Sequence, residues 1–329
     1  MNRKFTFFIW LFALTICLTG LETVKADEFK YRLRTNYVVN YIQKYKFTER
    51  QEVTTYILPD ENSGVGDSVK YDRETTMYFK LKTIDKPGEG VSEVRVIVDS
   101  LVYDYKSKGK DISYRTSNFF DEAPMLEPDY QRYGFLPEHY YSFYYSPYSE
   151  VEKVVSPELD EKREIFTDPT SKFGTEVSRK RLGEYLSHRM VSFLFDPVKN
   201  ILPDYDIERD STWFADIDIE LDGVWVTPKV EYKIESFTGQ GYLIKGKLDT
   251  VIDRSLVNSE IFFSGLNSFG TVEKSELKGM VSAYLNTRSQ LESNSITLDG
   301  YLSGSIGGRK FNQKRKTFYN WELLKTYTN

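Results

Sequence analysis

The chain has 329 residues with a formal net charge of −5, one Cys and two His, and it is rich in Tyr (25) and Phe (22). Hydrophobic residues make up 40% of it and charged residues 28%, which excludes a largely disordered chain, a collagen-like chain and a polytopic membrane protein. The acidic balance argues against a nucleic-acid-binding protein, because such proteins need a basic surface to displace counterions. We expect a globular protein with a sizeable core.

A signal peptide is predicted over residues 1–26. It has a basic start, an apolar run over residues 5–21 and small residues at the end that a signal peptidase reads, so we place cleavage after Ala26. Cleavage removes Cys17, the only cysteine, and the sequence has no Asn-x-Ser/Thr glycosylation site. We therefore expect an exported bacterial protein, periplasmic, at the cell surface or extracellular, that is not an integral membrane protein after cleavage.

Residues 27–116 are predicted to form an N-terminal β section. Alternate residues from Phe29 to Phe47 are mostly apolar or aromatic, and mostly polar or basic residues lie between them. A period of two is typical of a strand with one buried face, and this run is so long that we expect a bend, a bulge or two consecutive strands. Similar alternation returns near Val53 and Met77, with turn-forming residues between the runs.

Residues 117–170 break this pattern, and we expect a Tyr-rich insertion or long loop there. A tyrosine offers a large flat surface and a hydroxyl, so a concave cluster of tyrosines can stack on sugar rings or peptide. The alternative is a segment that only packs onto the sheet. The candidate ligand-binding residues are Tyr130, Tyr133, Tyr140, Tyr141, Tyr144 and Tyr145.

Residues 171–201 are predicted to contain a helix and a connection, and residues 202–329 a C-terminal β section. Apolar residues recur at three- and four-residue intervals from Leu182 to Phe193, until Asp196 and the following proline end the pattern. This spacing predicts one helix near 176–195 that covers a face of the sheet. The later strands alternate apolar and polar residues, as antiparallel strands with one solvated face do.

Acidic residues alternate on both sides of Trp213 and are candidates for a cation site. Closely spaced carboxylates on one strand face can bind a hard cation such as Ca²⁺. An EF-hand loop is excluded, because Lys229 stands where the bidentate glutamate is needed. The alternative is the solvated face of a half-buried strand, and no other cofactor is expected. The candidate metal ligands are Asp216, Asp218, Glu220 and Asp222.

The sequence offers little for catalysis. His139 and His188 do not form a metal-ligand pair, the chain has no G-x-S-x-G motif, and the predicted mature chain has no cysteine. A polysaccharide hydrolase would need two carboxyl groups at a defined separation, which sequence does not give. The basic run from Arg309 to Lys316 is predicted to be a charged hairpin turn, or else a contact for anionic polymers or lipid.

The order of several segments resembles a family of secreted bacterial β-rich proteins that form a domain of unknown function. That family has no established catalytic residues, so none is carried over to this chain. A curved antiparallel sheet with a covering helix is also similar, at the level of the fold, to lipoprotein-carrier half-barrels. The segments that carry the family resemblance are MYFKLKTI from Met77, VSEVRVIVDSLVYDY from Val91, ISYRTSN from Ile112, ILPDYDIERDSTW from Ile201, DGVWVTPKVEYKIES from Asp222 and GYLIKGKL from Gly241.

Together these patterns predict a mainly β protein, a β-rich α+β fold of curved antiparallel sheets with one covering helix near 176–195. We expect an exported, non-enzymatic envelope or surface protein that binds a hydrophobic or carbohydrate ligand or a protein partner. An acidic-site hydrolase acting on polysaccharide is the first alternative. A structural module that assembles through sheet edges is the second.

Overall fold

The computed structural model describes residues 30–59, 66–86, 90–116, 133–170, 179, 183–208, 210–221, 225–251, 260–263 and 268–328. The predicted signal peptide, Tyr130 and Asp222 lie outside these ranges. The strands are β1 (Lys30–Tyr31), β2 (Tyr41–Ile57), β3 (Asp67–Asp85), β4 (Ser92–Ser107), β5 (Lys110–Arg115), β6 (Tyr140–Tyr145), β7 (Val151–Val155), β8 (Ile207–Glu208), β9 (Thr212–Asp216), β10 (Ile219–Glu220), β11 (Trp225–Val226), β12 (Lys229–Thr238), β13 (Gly241–Val251), β14 (Glu260–Phe263), β15 (Ser268–Asn286), β16 (Leu291–Ile306) and β17 (Arg309–Thr328).

Within the described ranges, thirteen strands form one antiparallel sheet. The main path runs β7-β6-β4-β3-β2-β17-β16-β15-β13-β12-β9, while β5 pairs with β4 and β14 with β15. The N-terminal β2 lies beside the C-terminal β17, so the first and last long strands join the two β sections into one sheet. The predictions of a mainly β fold and of antiparallel pairing are confirmed.

Two helices are described over their whole length: α1 (Pro157–Thr167) and α2 (His188–Phe195). Residues 133–134, 179 and 183–185 are helical as well. A short 3-10 helix covers Leu136–Glu138. Only the last part of the predicted covering helix near 176–195 corresponds to α2, which ends before Asp196 as expected. One continuous helix was wrong, because a turn at residues 186–187 separates the helical residues 183–185 from α2. Its N-cap is Ser187, whose hydroxyl accepts a hydrogen bond from the backbone N–H of Met190 at 3.1 Å. None of the helices among the described residues is long and apolar enough to cross a membrane.

The sheet is strongly curved around α2 and the turn that follows it. The ring of Phe195 contacts Tyr141 on β6, and the indole N–H of Trp213 on β9 donates to the carbonyl of Ile201, just after the helix. The sheet path from β6 to β9 crosses nine inter-strand steps, which in a flat sheet would span about 43 Å at roughly 4.8 Å per step. An eight-residue helix spans only about 12 Å, so the sheet must wrap around it.

In the long strands, alternate side chains point to the concave face and the side chains between them point to solvent. On β2 the odd-numbered residues from Tyr45 to Thr55 are all buried, and the convex face carries charged rows. In one such row Lys316 of β17 is in register with Glu52 of β2 and with Asp299 of β16. Opposite charges across neighbouring strands suit a solvated sheet face.

The chain between β1 and β2 explains why the first alternating run is so long. Residues 32–39 continue the in-and-out pattern without joining the large sheet, and Asn40 has a φ of 68°, which turns the chain into β2. Leu33 and Tyr37 are buried from this extended segment. The expected interruption is therefore a turn at Asn40.

The Tyr-rich stretch differs from the loop that we expected. Residues 140–145 form β6 and residues 151–155 form β7, at one edge of the sheet. The strand period was hidden because β6 carries aromatic residues on both faces. Helix α1 was also missed, since Leu159 is its one buried residue and it has no apolar stripe to detect.

Candidate functional site

The predicted tyrosine cluster is divided between two faces of the sheet. Tyr141 and Tyr145 of β6 point into the core and are fully buried, and Tyr133 is also buried. The hydroxyl of Tyr133 donates to the carboxylate of Glu49 at 2.9 Å, which gives this tyrosine a place in the interior of the protein. These three side chains form part of the concave face rather than an outer recognition surface.

Tyr140 and Tyr144 lie on the opposite face of β6. Tyr140 is 42% exposed, and the guanidinium of Arg95 lies 4.8 Å from the centre of its ring. Tyr144 is half-buried. The structure therefore does not bring the five described candidates together into one concave cluster, and Tyr130 lies outside the described residues.

The predicted acidic ladder is also divided. Asp216 and Asp218 line a cleft beside α2, whereas Glu220 is fully buried on β10. The fourth candidate, Asp222, is not among the described residues. Across the part of the chain that the structure describes, no three His, Cys, Asp or Glu side chains lie close enough together to hold a metal ion.

Helix α2 fills one part of the concave face with apolar side chains. Phe195 packs edge-on against Phe79 of β3 at 5.2 Å between ring centres, and Phe193 packs edge-on against Tyr319 of β17 at 5.1 Å. The indole N–H of Trp321 donates to the carbonyl of Leu194 at 2.8 Å. The buried residues of the helix are Met190, Val191, Phe193, Leu194 and Phe195.

We name the region of the sheet beneath α2 the apolar half of the concave face. It is formed where the registers of β4, β3, β2 and β17 place aromatic and aliphatic side chains next to one another. Each full burial of such a side chain stabilises the fold by roughly 1.5–3 kcal/mol. Its main residues are Tyr45, Phe47, Met77, Phe79, Leu81, Val96, Val98 and Trp321.

The outer side of α2 is held by a set of polar contacts that we call the latch: Arg189, Asp218 and Thr227. The guanidinium of Arg189 donates to both carboxylate oxygens of Asp218, at 2.6 and 3.0 Å, and to the hydroxyl of Thr227 at 3.0 Å. It also lies 4.4 Å from the ring of Trp225. Burial opposes ionisation of Asp218, but the hydrogen bonds from Arg189 and Thr227 outweigh it and hold its pKa below the usual value.

A second polar contact joins α2 to α1. The Nε2 atom of His188 lies 2.8 Å from a carboxylate oxygen of Asp160. Both side chains are more than 40% exposed, whereas the Nε2 atom itself is buried. The histidine thus lies on the outer side of α2, beside the latch.

The turn after α2 contains a buried pair of opposite charges. The Asp196 carboxylate accepts the backbone N–H groups of Val198 and Lys199 and the hydroxyl of Tyr145. The Lys199 ammonium donates to the backbone carbonyl of Ser192 at 3.0 Å and to that of Phe193. Burial lowers the pKa of Lys199 to about 7 and raises that of Asp196.

A cleft of about 400 Å³ opens along the outer side of α2. Residues 151–154 of β7 form part of its wall, and Asp216 and Asp218 form another part. Because β7 and β9 are the two ends of the main sheet path, the curvature brings both sheet edges to this one cleft. The cleft is therefore where the concave face comes closest to closing, with α2 between the edges.

The remaining part of the concave face is polar although it is buried, and we call it the polar half. It follows the apolar half along the same three strands, β3, β2 and β17. Sequence analysis missed these residues, because polar side chains were taken to mark the solvated face. Its residues are Glu49, Gln51, Thr55, Arg73, Thr75, Gln313, Arg315 and Thr317, all at most 5% exposed.

An ion pair lies at the centre of the polar half. The Glu49 carboxylate accepts hydrogen bonds from Arg73 at 2.8 Å and from the Gln51 amide at 2.7 Å, in addition to the bond from Tyr133. Both charged side chains are fully buried. A buried charge needs this number of partners, since removal from water is costly.

The basic run from Arg309 to Lys316 forms the beginning of β17 rather than a turn alone. Lys314 and Lys316 lie on the convex face, where they line a shallow groove, and Arg315 belongs to the polar half of the concave face. One continuous stretch of positive charge is therefore split between solvent and the interior.

No model of a known protein family matches the sequence, and no curated protein matches it. Among solved structures, a weak similarity is seen to lipovitellin, with 9% identity and a TM-score of 0.47 over 89% of this chain. The chain spans 26% of the length of that lipovitellin chain. An outer membrane channel from Pseudomonas putida F1 matches with 7% identity and a TM-score of 0.19, covering 91% of this chain and 98% of the channel.

Proposed function

We propose that the protein is an exported, non-enzymatic binding protein of a bacterial envelope. Its ligand has an apolar part, which binds the apolar half of the concave face in the space that α2 fills in this structure. One observation carries the proposal: α2 inserts five buried apolar residues among aromatic rings of the sheet, while its outer side is held by polar contacts.

The balance of forces on α2 suits an exchange between the helix and a ligand. An eight-residue helix has little stability of its own in water, so α2 depends on the sheet and on its N-cap. A ligand that replaces its buried apolar surface compensates for the lost packing. The contacts of the latch are partly exposed, and their rupture costs little because water replaces them.

The sequence supports the same proposal. The predicted signal peptide and the resemblance to a secreted β-rich family favour an exported protein, and the fold-level similarity to half-barrel carriers is the ground for proposing a role in binding. The cleft between the sheet edges is a route by which α2 can move outward.

The first experiment measures binding of an apolar fluorescent probe, N-phenyl-1-naphthylamine, to purified residues 27–329. We expect saturable binding, because the probe can replace the apolar side chains of α2. Native mass spectrometry of the chain purified from its own host's envelope fraction is the companion measurement. A bound mass that is lost on denaturation would identify the class of ligand.

A single cysteine reports the position of α2, since residues 27–329 contain none of their own. Leu194→Cys places a thiol on the fully buried side of α2, and Val230→Cys places one at a fully buried position of β12 as a control. We expect the probe to accelerate thiol labelling at position 194 but not at 230. Absence of saturable probe binding, or equal labelling at both positions, would overturn the proposal.

A further inference from the structure

The concave face is divided along its strands into an apolar and a polar half, and the boundary falls between neighbouring rows. Phe47 of β2 is in register with Met77 of β3 and with Trp321 of β17. The next inward-facing residue of β2, Glu49, is in register with Thr75 and Tyr319. Two residues further along each strand, the concave face therefore changes from apolar to polar.

The next row continues the polar half. Gln51 is in register with Arg73 on one side and with Thr317 on the other. Directly opposed residues of an antiparallel pair have Cα atoms about 4.5–5.5 Å apart. The row therefore places an amide between a guanidinium and a hydroxyl, and the Cα atoms of the outer two residues are about 10 Å apart across the three strands.

Three atoms of these two rows have no hydrogen-bond partner among the described residues: Gln51 Oε1, Thr75 Oγ1 and Thr317 Oγ1. Their side chains are at most 2% exposed, so bulk water does not satisfy them. Buried polar groups are normally hydrogen-bonded, and such exceptions need an explanation by water or by a ligand. They lie on three adjacent strands and all point into the concave side.

The three atoms belong to uncharged groups. An amide oxygen accepts a hydrogen bond, and each threonine hydroxyl both donates and accepts, so the set matches hydroxyl groups rather than a charged group. Tyrosine rings border the same rows, with Tyr103 in register with Thr75 and Tyr105 in register with Arg73. The rings of these tyrosines pack on Tyr114 and Tyr71, so the hydrogen-bonding groups of the rows, rather than ring stacking, suit the hydroxyls of a sugar or another polyol.

We propose that the polar half binds the head group of an amphiphilic ligand, and that this head group is uncharged and rich in hydroxyls, as in a glycolipid. This inference rests on the proposed function, in which the apolar part of the same ligand replaces α2. The two halves are adjacent, since Phe193 of α2 packs on Tyr319 in the first polar row. Displacement of α2 therefore opens the apolar half and the boundary of the polar half together.

The test compares three single-chain detergents below their critical micelle concentrations, with the same dodecyl chain and different head groups. They are dodecyl maltoside, dodecyl sulfate and dodecyltrimethylammonium, each measured by displacement of N-phenyl-1-naphthylamine. We expect maltoside to bind more tightly than either charged detergent by about tenfold, the size of one to two extra hydrogen bonds. A preference for the sulfate would overturn the inference in favour of an anionic head group.

The double variant Thr75→Val/Thr317→Val removes both unsatisfied hydroxyls, leaves the Gln51 amide oxygen, and keeps the side-chain shape. We expect its affinity for the maltoside to fall toward that for the charged detergents, with probe affinity unchanged. Thr83→Val, a buried threonine of the same strand β3 outside the polar half, is the matched control. Thermal unfolding of each variant confirms that it folds, and the head-group comparison on the unmodified protein stands independently of the variants.

The outcomes separate the two proposals. If the apolar probe does not bind, the proposed function fails. If the probe binds but the three detergents compete equally and the double variant changes nothing, the polar half holds water only and this inference alone is overturned.

Discussion

Arg189 and Asp218 form a two-point ion pair that joins the outer side of α2 to the segment between β9 and β10. The guanidinium–carboxylate distances are 2.6 and 3.0 Å, and the planar donors of Arg match the two carboxylate oxygens. The side chains are 41% and 44% exposed, so water screens part of the attraction. The pair positions α2 on the sheet, and breaking the pair when α2 moves away costs little free energy.

Asp218→Asn should loosen α2 while the fold stays intact. We expect a loss of about 0.5–1 kcal/mol in the free energy of unfolding, the upper part of the range for partly exposed ion pairs. Thiol labelling of Leu194→Cys should become faster in this background. Asp206→Asn is the matched control, because Asp206 makes a similar two-point pair with Arg32, at 2.7 and 3.1 Å, on the segment before β2. Equal labelling in both backgrounds would show that the latch does not hold α2.

Phe195→Ala should be strongly destabilising, because its ring is fully buried between Phe79 and Tyr141. Truncation of a buried phenylalanine removes its transfer free energy and leaves a cavity, at a cost of about 3–5 kcal/mol. Urea unfolding measures this loss. Phe214→Ala is the control, since Phe214 is 60% exposed on β9 and its truncation should change stability by less than about 0.5 kcal/mol.

Much of the fold was predictable from the sequence, because an antiparallel strand with one solvated face shows a direct alternation of apolar and polar residues. The strands around Tyr232, Ile244 and Tyr319 alternate in this way and lie within the predicted C-terminal β section. Strand β6 was not predicted, because both of its faces carry aromatic rings. The ligand-binding and metal assignments remain predictions, although the structure separates Glu220 from Asp218.

The polar half could not be predicted from the sequence as long as every polar residue of a strand was assigned to the solvated face. Its signal is positional: Glu49, Gln51 and Thr55 have the same parity on β2 as Tyr45 and Phe47, and so face the interior. A polar residue at a buried position of a strand points to a partner or a ligand inside the protein. Which strands would be neighbours, and hence which polar residues would meet, required the pairing of the first long strand with the last.

The free energy of unfolding should fall far more when one partner of the buried Glu49–Arg73 pair is replaced than when both are. Arg73→Met leaves a carboxylate fully buried without its counter-ion, which costs about 3–5 kcal/mol. Glu49→Leu/Arg73→Met replaces the pair by apolar side chains and should restore part of that stability. The four members of this double-mutant cycle are compared by urea unfolding. If the two single losses simply add in the double variant, the pair is not a coupled unit.

Lys199 should make stability depend on pH above neutrality. Burial lowers its pKa from 10.5 to about 7 in the folded protein, where Asp196 and Asp218 are the acidic groups that act on it. Between about pH 7 and 10.5 the unfolded chain therefore binds more protons than the folded chain, and the free energy of unfolding rises with pH. Below about pH 7 both states carry the proton, so this contribution no longer changes with pH.

In Lys199→Met the rise should disappear, whereas Lys310→Met, a change at an exposed lysine paired with Glu273, should keep it. Urea unfolding of the three proteins at pH 7, 8 and 9 measures the slope. A slope that persists unchanged in Lys199→Met would show that another group causes the rise and that the pKa of Lys199 is not lowered in the folded protein.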